Sequence, residues 1–375
     1  MSQLPHTVPG TGGPQAAGRE ERKPDTENVQ TSAPAGQDRK APGGSFPDRA
    51  AGRFPKLLDE SEFAEEFEST VMPELSSIEK RFFMERVPGK KIRVYYYPRA
   101  NARGVLILSH GFTESAVKFR ETAWYFYQYG FTVYSLDHAG HGESYRLVDD
   151  ISLVHIDRWE TYAEDLFFIS GKVKKDNPRL PLFLFGHSMG GGIAAACAAK
   201  MNPPYAGVIL SSPMIEPLTG SIPLFVTRLV TRYMEKTKRS AAPAPGYHPF
   251  DGKEAFESSP CSSRARFDHY LNLQKETPSL QTSGASCGWV LEAIRLRDYL
   301  LKKAPGYTTI PILLLQAGRE ELVSNKAQDR YLSLLKNGQK AVFPDAKHEI
   351  YRSGKEILTP YYQAVFQFLD AHLSS

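Results

Sequence analysis

Cysteine is scarce: the 375 residues include three, Cys197, Cys261 and Cys287. They lie far apart, are odd in number and show no Cys-x-x-Cys spacing or paired histidine ligands. Neither a disulfide framework nor a zinc site is implied. An excess of one charge is lacking too, since 46 Lys and Arg against 42 Asp and Glu leave a net charge of +4. Without a dense basic patch or a base-stacking motif, no nucleic-acid partner is expected. No apolar run approaches the roughly 20 residues that span a bilayer, and the N-terminus lacks the apolar core of a signal peptide. A reducing, cytoplasmic setting is the expectation, with peripheral attachment to the inner face of the membrane left open. Residues 1–54 have few large apolar side chains and are rich in Pro, Gly, Ala and Ser. Such a segment cannot bury enough surface to offset its ordering entropy, and a disordered tail is expected.

Past the tail, apolar β-prone runs alternate with helical patterns. Strands are predicted at 92–97, 105–108, 131–136, 182–185, 208–210, 312–315 and 340–343. Helices are predicted at 63–75, 115–129, 159–175, 189–200, 325–336 and 355–372. Near-continuous apolar strands separated by helices imply an α/β fold, a mostly parallel central sheet with helices on both faces. The alternation breaks between 213 and 305, which divides the core into 55–212 and 306–375 around a helical cap insertion. Open α/β sheets hold ligands at the C-terminal ends of their strands, where such an insertion would sit. Its candidate helices are 222–236 and 289–301. The first is amphipathic and basic, with Arg228, Arg232 and Lys236. It could meet an anionic membrane surface, but the favoured reading packs its apolar face on the body and leaves its charges in water.

The chemistry concentrates in Gly186-His187-Ser188-Met189-Gly190, which follows the apolar run 181–185 and precedes the small-residue segment 191–199. A strand, a serine between glycines and then a helix describe a sharp turn that lifts a serine hydroxyl clear of a sheet. The amide of Met189 would sit at the helix N-terminus, where negative charge is favoured. A second donor to an oxyanion is expected from the loop Ser109-His110-Gly111-Phe112-Thr113-Glu114, with the Phe112 amide as the partner of Met189.

Ser188 needs a base, and the base an orienting acid. The order serine, acid, histidine leaves His248, His269, His348 and His372 as candidates for the base. His248 and His269 fall in the insertion, and His372 ends the last helix. His348 follows a late strand in a short loop and is the expected base. The acid is expected from the loop Gln316-Ala317-Gly318-Arg319-Glu320-Glu321-Leu322-Val323, which holds two glutamates and no aspartate. Spacing does not separate Glu320 from Glu321, and Asp345 is a weaker rival because it lies so close to His348 in sequence. The segment Asp137-His138-Ala139-Gly140-His141-Gly142-Glu143-Ser144 reads as a glycine-rich loop held by its polar side chains rather than as a metal site.

From about residue 60 onward these pieces resemble the α/β-hydrolase superfamily, and within it the group of monoacylglycerol lipases and bacterial lysophospholipase L2. The likeness rests on Ser109 to Phe112, Asp137 to Ser144, Gly186 to Gly190, Gly318 to Val323 and His348-Glu349-Ile350. Ser283 to Trp289, similar to a Gly-Gly-Pro-Thr-x-Gly-Trp stretch, and His348 to Arg352 tilt it toward lysophospholipase L2. Two positions depart from the group. Glu320 stands where its Gly-x-Asp-x-x-Val pattern has aspartate, which selects Glu320 over Glu321. Ala139 stands where its Asp-x-Arg-Gly-His-Gly loop has arginine.

The resemblance implies a serine ester hydrolase with no cofactor, acting on a single-chain lipid ester. A lysophospholipase is the first expectation, with a monoacylglycerol lipase or general carboxylesterase as the alternative. A peptidase, an epoxide hydrolase and a non-catalytic binding protein on the same fold are further rivals. Apolar residues of the insertion are expected to line an acyl tunnel. Head group, acyl length and oligomeric state are not given by the sequence.

Overall fold

Strands covered on both faces need apolar side chains at nearly every position, and the runs with that composition form the centre of the sheet. The computed structural model describes residues 54–373; the expected tail, 1–54, lies outside the described residues but for Phe54. The strands are β1 (Lys80–Glu85), β2 (Lys91–Tyr97), β3 (Gly104–Ser109), β4 (Phe131–Leu136), β5 (Leu153–Val154), β6 (Leu182–His187), β7 (Gly207–Ser211), β8 (Gly284–Ala285), β9 (Ile312–Arg319) and β10 (Gly338–Lys347). Eight of them form one sheet in the order β1-β2-β4-β3-β6-β7-β9-β10. The pairs β1–β2 and β2–β4 are antiparallel and the rest parallel. Every residue of β3, β4, β6 and β7 is buried.

Helices Trp159–Asp176, Ser188–Ala198 and Asn325–Ser333 share one core with one face of this sheet. Helices Arg120–Gln128 and Lys355–Ala371 share the other core, together with the helical stretch 63–78. That stretch widens to a π-helical turn at Phe67–Val71, just before Pro73. Proline has no N–H to give to the helical ladder. Strand β1 is absent from the sequence expectation for a physical reason. It is an edge strand, exposed or half-buried throughout, and its apolar run is only Phe82-Phe83-Met84 between charged residues.

Between β7 and β9 the chain forms helices Leu224–Lys236, Arg264–Glu276 and Cys287–Lys302. Ser263 and Ser286 cap the second and third, accepting from Arg266 N at 3.1 Å and Trp289 N at 3.0 Å. The two-residue strands β5 and β8 pair in parallel and tie this insertion to the segment after β4. Arg266, fully buried, fastens the second helix to the body: it donates to both Glu121 oxygens at 2.6–3.2 Å and to Leu58 O at 3.1 Å. The helix was not expected, because its anchor is a buried ion pair rather than an apolar stripe.

Helix Leu224–Lys236 reverses the favoured reading. Arg228 pairs with Asp298 at 2.6 and 3.0 Å, and Glu235 pairs with Arg295 at 2.8 Å, both on the neighbouring helix Cys287–Lys302. Thr231 is buried as well. With its polar flank turned inward, the helix exposes Phe225 (67%), Leu229 (63%) and Tyr233 (64%). No helix among the described residues is long and apolar enough to cross a membrane.

Candidate active site

Strand β6 ends at His187, and Ser188, the first residue of the helix Ser188–Ala198, takes φ of +52°. A non-glycine residue in this region costs about 1–3 kcal/mol and persists only when its surroundings enforce it. Here the close approach of strand and helix does so. A Cβ on Gly186 would lie 2.4 Å from Gly190 O, and one on Gly190 would lie 2.2 Å from Ser109 O. Across the gap, a Cβ on Gly111 would lie 3.1 Å from Ser188 Cβ. The amide of Met189 belongs to the first helical turn, where no carbonyl of the helix can reach it. The amide of Phe112 donates to no acceptor among the described residues. Two free N–H groups therefore flank the serine.

Strands β9 and β10 end side by side, with Arg319 and Lys347 as register partners across a bulge between Phe343 and Lys347. The next residue of each strand is Glu320 and His348. Glu320 Oε2 lies 2.7 Å from His348 Nδ1, and the two side chains are 2% and 4% exposed. Glu320 Oε1 accepts from the amides of Glu321, Leu322 and Val323 at 3.0, 2.9 and 3.3 Å. Burial alone would raise the Glu320 carboxyl. The His348 hydrogen bond and charge, with the Leu322 and Val323 amides, outweigh it and hold the group below the usual carboxylate range. Glu321 and Asp345 are exposed. Ser188 Oγ makes no hydrogen bond with His348 among the described residues. The His187 ring lies 4.8 Å from that of His348, and its Nδ1 is 3.2 Å from Ser211 O.

Behind the serine, three buried histidines join the loop after β3 to the loop after β4. His110 Nε2 accepts from His138 N at 2.9 Å, so its Nδ1 donates to Gly111 O at 2.7 Å. His141 Nε2 accepts from Thr113 N at 3.2 Å and its Nδ1 donates to Ala139 O at 3.0 Å. His138 Nε2 lies 2.7 Å from Ser109 Oγ. Burial pushes all three well below the ordinary imidazole range, His110 to about 4. As neutral rings, His110 and His141 use both nitrogens and His138 uses Nε2 on protein partners. Asp137 accepts from Ala116 N and Glu143 N at 2.7 and 3.0 Å, which organises the glycine-rich loop. Ala139 offers that loop no guanidinium; Arg146 supplies one, bonding Gly140 O and, at 3.1 Å, Gly142 O.

Two spaces adjoin these groups. A cavity of about 610 Å³ is lined by Thr113, Lys118, Tyr270, Glu349 and Arg352, among others. An apolar space of about 10 Å³ lies against Met189, Tyr162, Trp289 and Leu296. The Phe112 ring packs on Trp289 with centroids 4.0 Å apart, and the space beside Met189 is too small for an acyl chain. Unforeseen in the sequence is a buried charge chain, Glu114, Lys118, Glu349 and Arg352. The spacing of Glu114 and Lys118 signals an ion pair on a helix; nothing in it signals burial.

The family model described as serine aminopeptidase, S33, matches residues 100–353. Lysophospholipase L2 of Escherichia coli K12 is 28% identical over 283 residues, covering 72% of this chain and 81% of that protein. A monoacylglycerol lipase of Mycolicibacterium smegmatis is 28% identical over 274 residues, covering 71% and 90%. Among solved structures, a soluble variant of Saccharomyces cerevisiae monoglyceride lipase in complex with a substrate analog superposes with a TM-score of 0.64. It is 18% identical, and the match covers 79% of this chain and 96% of that one.

Gly190→Ala tests the close approach at the turn. The added Cβ must displace the backbone of Ser109, so a melting temperature several degrees lower is expected together with weaker labelling by a serine-directed fluorophosphonate. A variant that melts and labels like the parent would contradict this geometry.

Proposed function

The chain belongs to the serine aminopeptidase, S33, family of α/β-hydrolases, and from that premise we propose that it is a lipid ester hydrolase, most specifically a lysophospholipase. The observation that carries the reading is the buried His348–Glu320 pair at the ends of β9 and β10, with Ser188 on its strained turn nearby. Relatives named lysophospholipase and monoacylglycerol lipase support a single-chain lipid as substrate.

In this reading Ser188 Oγ attacks the acyl carbonyl while His348 Nε2 takes its proton. Glu320 holds the proton on Nδ1 and stabilises the imidazolium. The amides of Phe112 and Met189 hold the oxyanion; one such donor contributes about 10²–10³ in kcat in a comparable hydrolase. His348 returns the proton to the departing alcohol and then draws one from water, which attacks the acyl-enzyme and frees the fatty acid. Glutamate in the aspartate position suffices because the ends of β9 and β10 bring its longer side chain to Nδ1. The reaction needs no cofactor in this scheme.

The test is fatty-acid release from a lysophospholipid and a monoacylglycerol of equal acyl length, beside an aminoacyl anilide, with Ser188→Ala as control. Release chiefly from the lysophospholipid, lost in the variant, is expected. Preference for the monoacylglycerol would keep the mechanism and replace the substrate. Cleavage of the anilide alone, or release independent of Ser188, would overturn the reading.

The outward face of helix Leu224–Lys236 supports a further part of the proposal: the enzyme meets its lipid at an anionic bilayer surface. Phe225, Leu229 and Tyr233 are exposed on one side of the helix, and Arg232, Lys236, Lys238 and Arg239 nearby form no ion pair among the described residues. Apolar residues beside unpaired basic ones suit the boundary of acyl chains and anionic head groups. Full-length protein should co-sediment with phosphatidylglycerol vesicles and less with phosphatidylcholine vesicles, and Phe225→Glu with Leu229→Glu should abolish this. Equal sedimentation by that double variant, or none by the parent, would exclude docking through this helix.

A further inference from the structure

Four buried charges run from the loop after β3 to the loop after β10. Glu114 Oε2 accepts from Gly111 N at 2.6 Å, while its Oε1 accepts from Lys118 Nζ and Tyr351 OH, each at 2.8 Å. Lys118 Nζ also donates to Glu349 Oε1 at 2.6 Å, and Arg352 Nη1 donates to Glu349 Oε2 at 2.8 Å. The Lys118, Glu114 and Glu349 side chains are 7%, 4% and 5% exposed. Glu114 closes the turn that presents the Phe112 amide, and Glu349 directly follows His348. Among the described residues, Lys118 is the one cation bonded to both carboxylates.

We propose that Lys118 is a positioning residue for hydrolysis, a bridge that sets the oxyanion-side loop against the loop carrying the base. The inference rests on the reading of Ser188 and His348 given above. Several observations separate this from simple packing. The Gly111–Glu114 turn and its carboxylate fix each other, since a Cβ on Gly111 would lie 2.8 Å from Glu114 Oε2. The Lys118 ammonium directs donors to both loops and lies 5.0 Å from the Tyr270 ring centroid, a contact with the insertion. Buried ion pairs often stabilise a fold no better than well-packed apolar side chains do. What a point charge between two carboxylates supplies is a fixed distance, and rate is sensitive to distance: a 1 Å misplacement can cost about 10²-fold.

The experiment compares the parent, Lys118→Met, Lys118→Arg and Ser188→Ala in steady-state hydrolysis of p-nitrophenyl butyrate, with melting temperatures measured in parallel. Lys118→Met should lower kcat at least about tenfold with little change in KM, as misaligned groups require. Lys118→Arg, which can still span two carboxylates, should recover most of it. If Lys118→Met does not fold, Glu349→Gln takes its place; it weakens the base-side contact, leaves Glu114–Lys118 intact and should also lower kcat rather than raise KM. Folded Lys118→Met with parental kcat, a loss confined to KM, or an arginine variant as poor as the methionine one would overturn the inference; so would parental kcat in Glu349→Gln where it is the variant tested. Hydrolysis that survives Ser188→Ala would instead overturn the reading beneath it, so the two failures are distinguishable.

Discussion

The close approach of the helix Ser188–Ala198 to the sheet organises the rest of the site. It leaves no room for a Cβ at Gly186 or Gly190, and it forces the serine between them into a left-handed backbone. Strand β3 ends against Gly190, so the loop leaving β3 passes directly over the turn. That contact, with Gly111 close to Ser188, brings the backbone of the loop beside the turn. The strain at Ser188 is small beside the burial of β3, β4, β6 and β7, whose apolar faces hold strand and helix together.

Around this centre several charged and imidazole side chains are buried and paired, and each pairing has a different physical basis. The histidines His110, His138 and His141 are held neutral by burial and bind amides, carbonyls and a hydroxyl. Glu320 stays ionised because three amides and an imidazole surround it. Arg266 and Glu121 fasten the insertion to the body, and Lys118 joins the two loops that flank the serine. Removing one partner of such a buried pair is costly, about 3–5 kcal/mol, because the other charge is left without compensation. The insertion therefore joins the body through ions as well as through an apolar interface.

Much of this was legible in the sequence where one cause dominates. The central strands read as apolar runs because they are buried on both faces, and the turn at Ser188 reads from its glycines. The edge strand β1 did not read because its apolar run, Phe82-Phe83-Met84, is short and half-exposed, nor did the helix Arg264–Glu276, which a buried ion pair anchors. Glu320 and Glu321 were inseparable by spacing. The likeness to a family pattern favoured the first, and the register of Arg319 with Lys347 shows where each lies. The orientation of Leu224–Lys236 was misread because amphipathicity does not reveal which face meets the body. The ion pairs Arg228–Asp298 and Glu235–Arg295 decide it, and their partners lie some 60 to 70 residues away. Ala139 stands where the group has arginine, and Arg146, later in the chain, reaches back to hold the loop's carbonyls.

The central claim is that a buried glutamate makes His348 a competent base for Ser188. The most direct measurement is the rate of covalent labelling of Ser188 by a fluorophosphonate in the parent, Glu320→Gln and Glu320→Asp, at equal folded concentration. Glutamine preserves the shape but favours the wrong imidazole tautomer, and the corresponding change in a serine protease costs about 10⁴ in kcat. A fall of several orders of magnitude in Glu320→Gln, with substantial labelling kept in Glu320→Asp, is the predicted result. Parental labelling in Glu320→Gln would contradict the account.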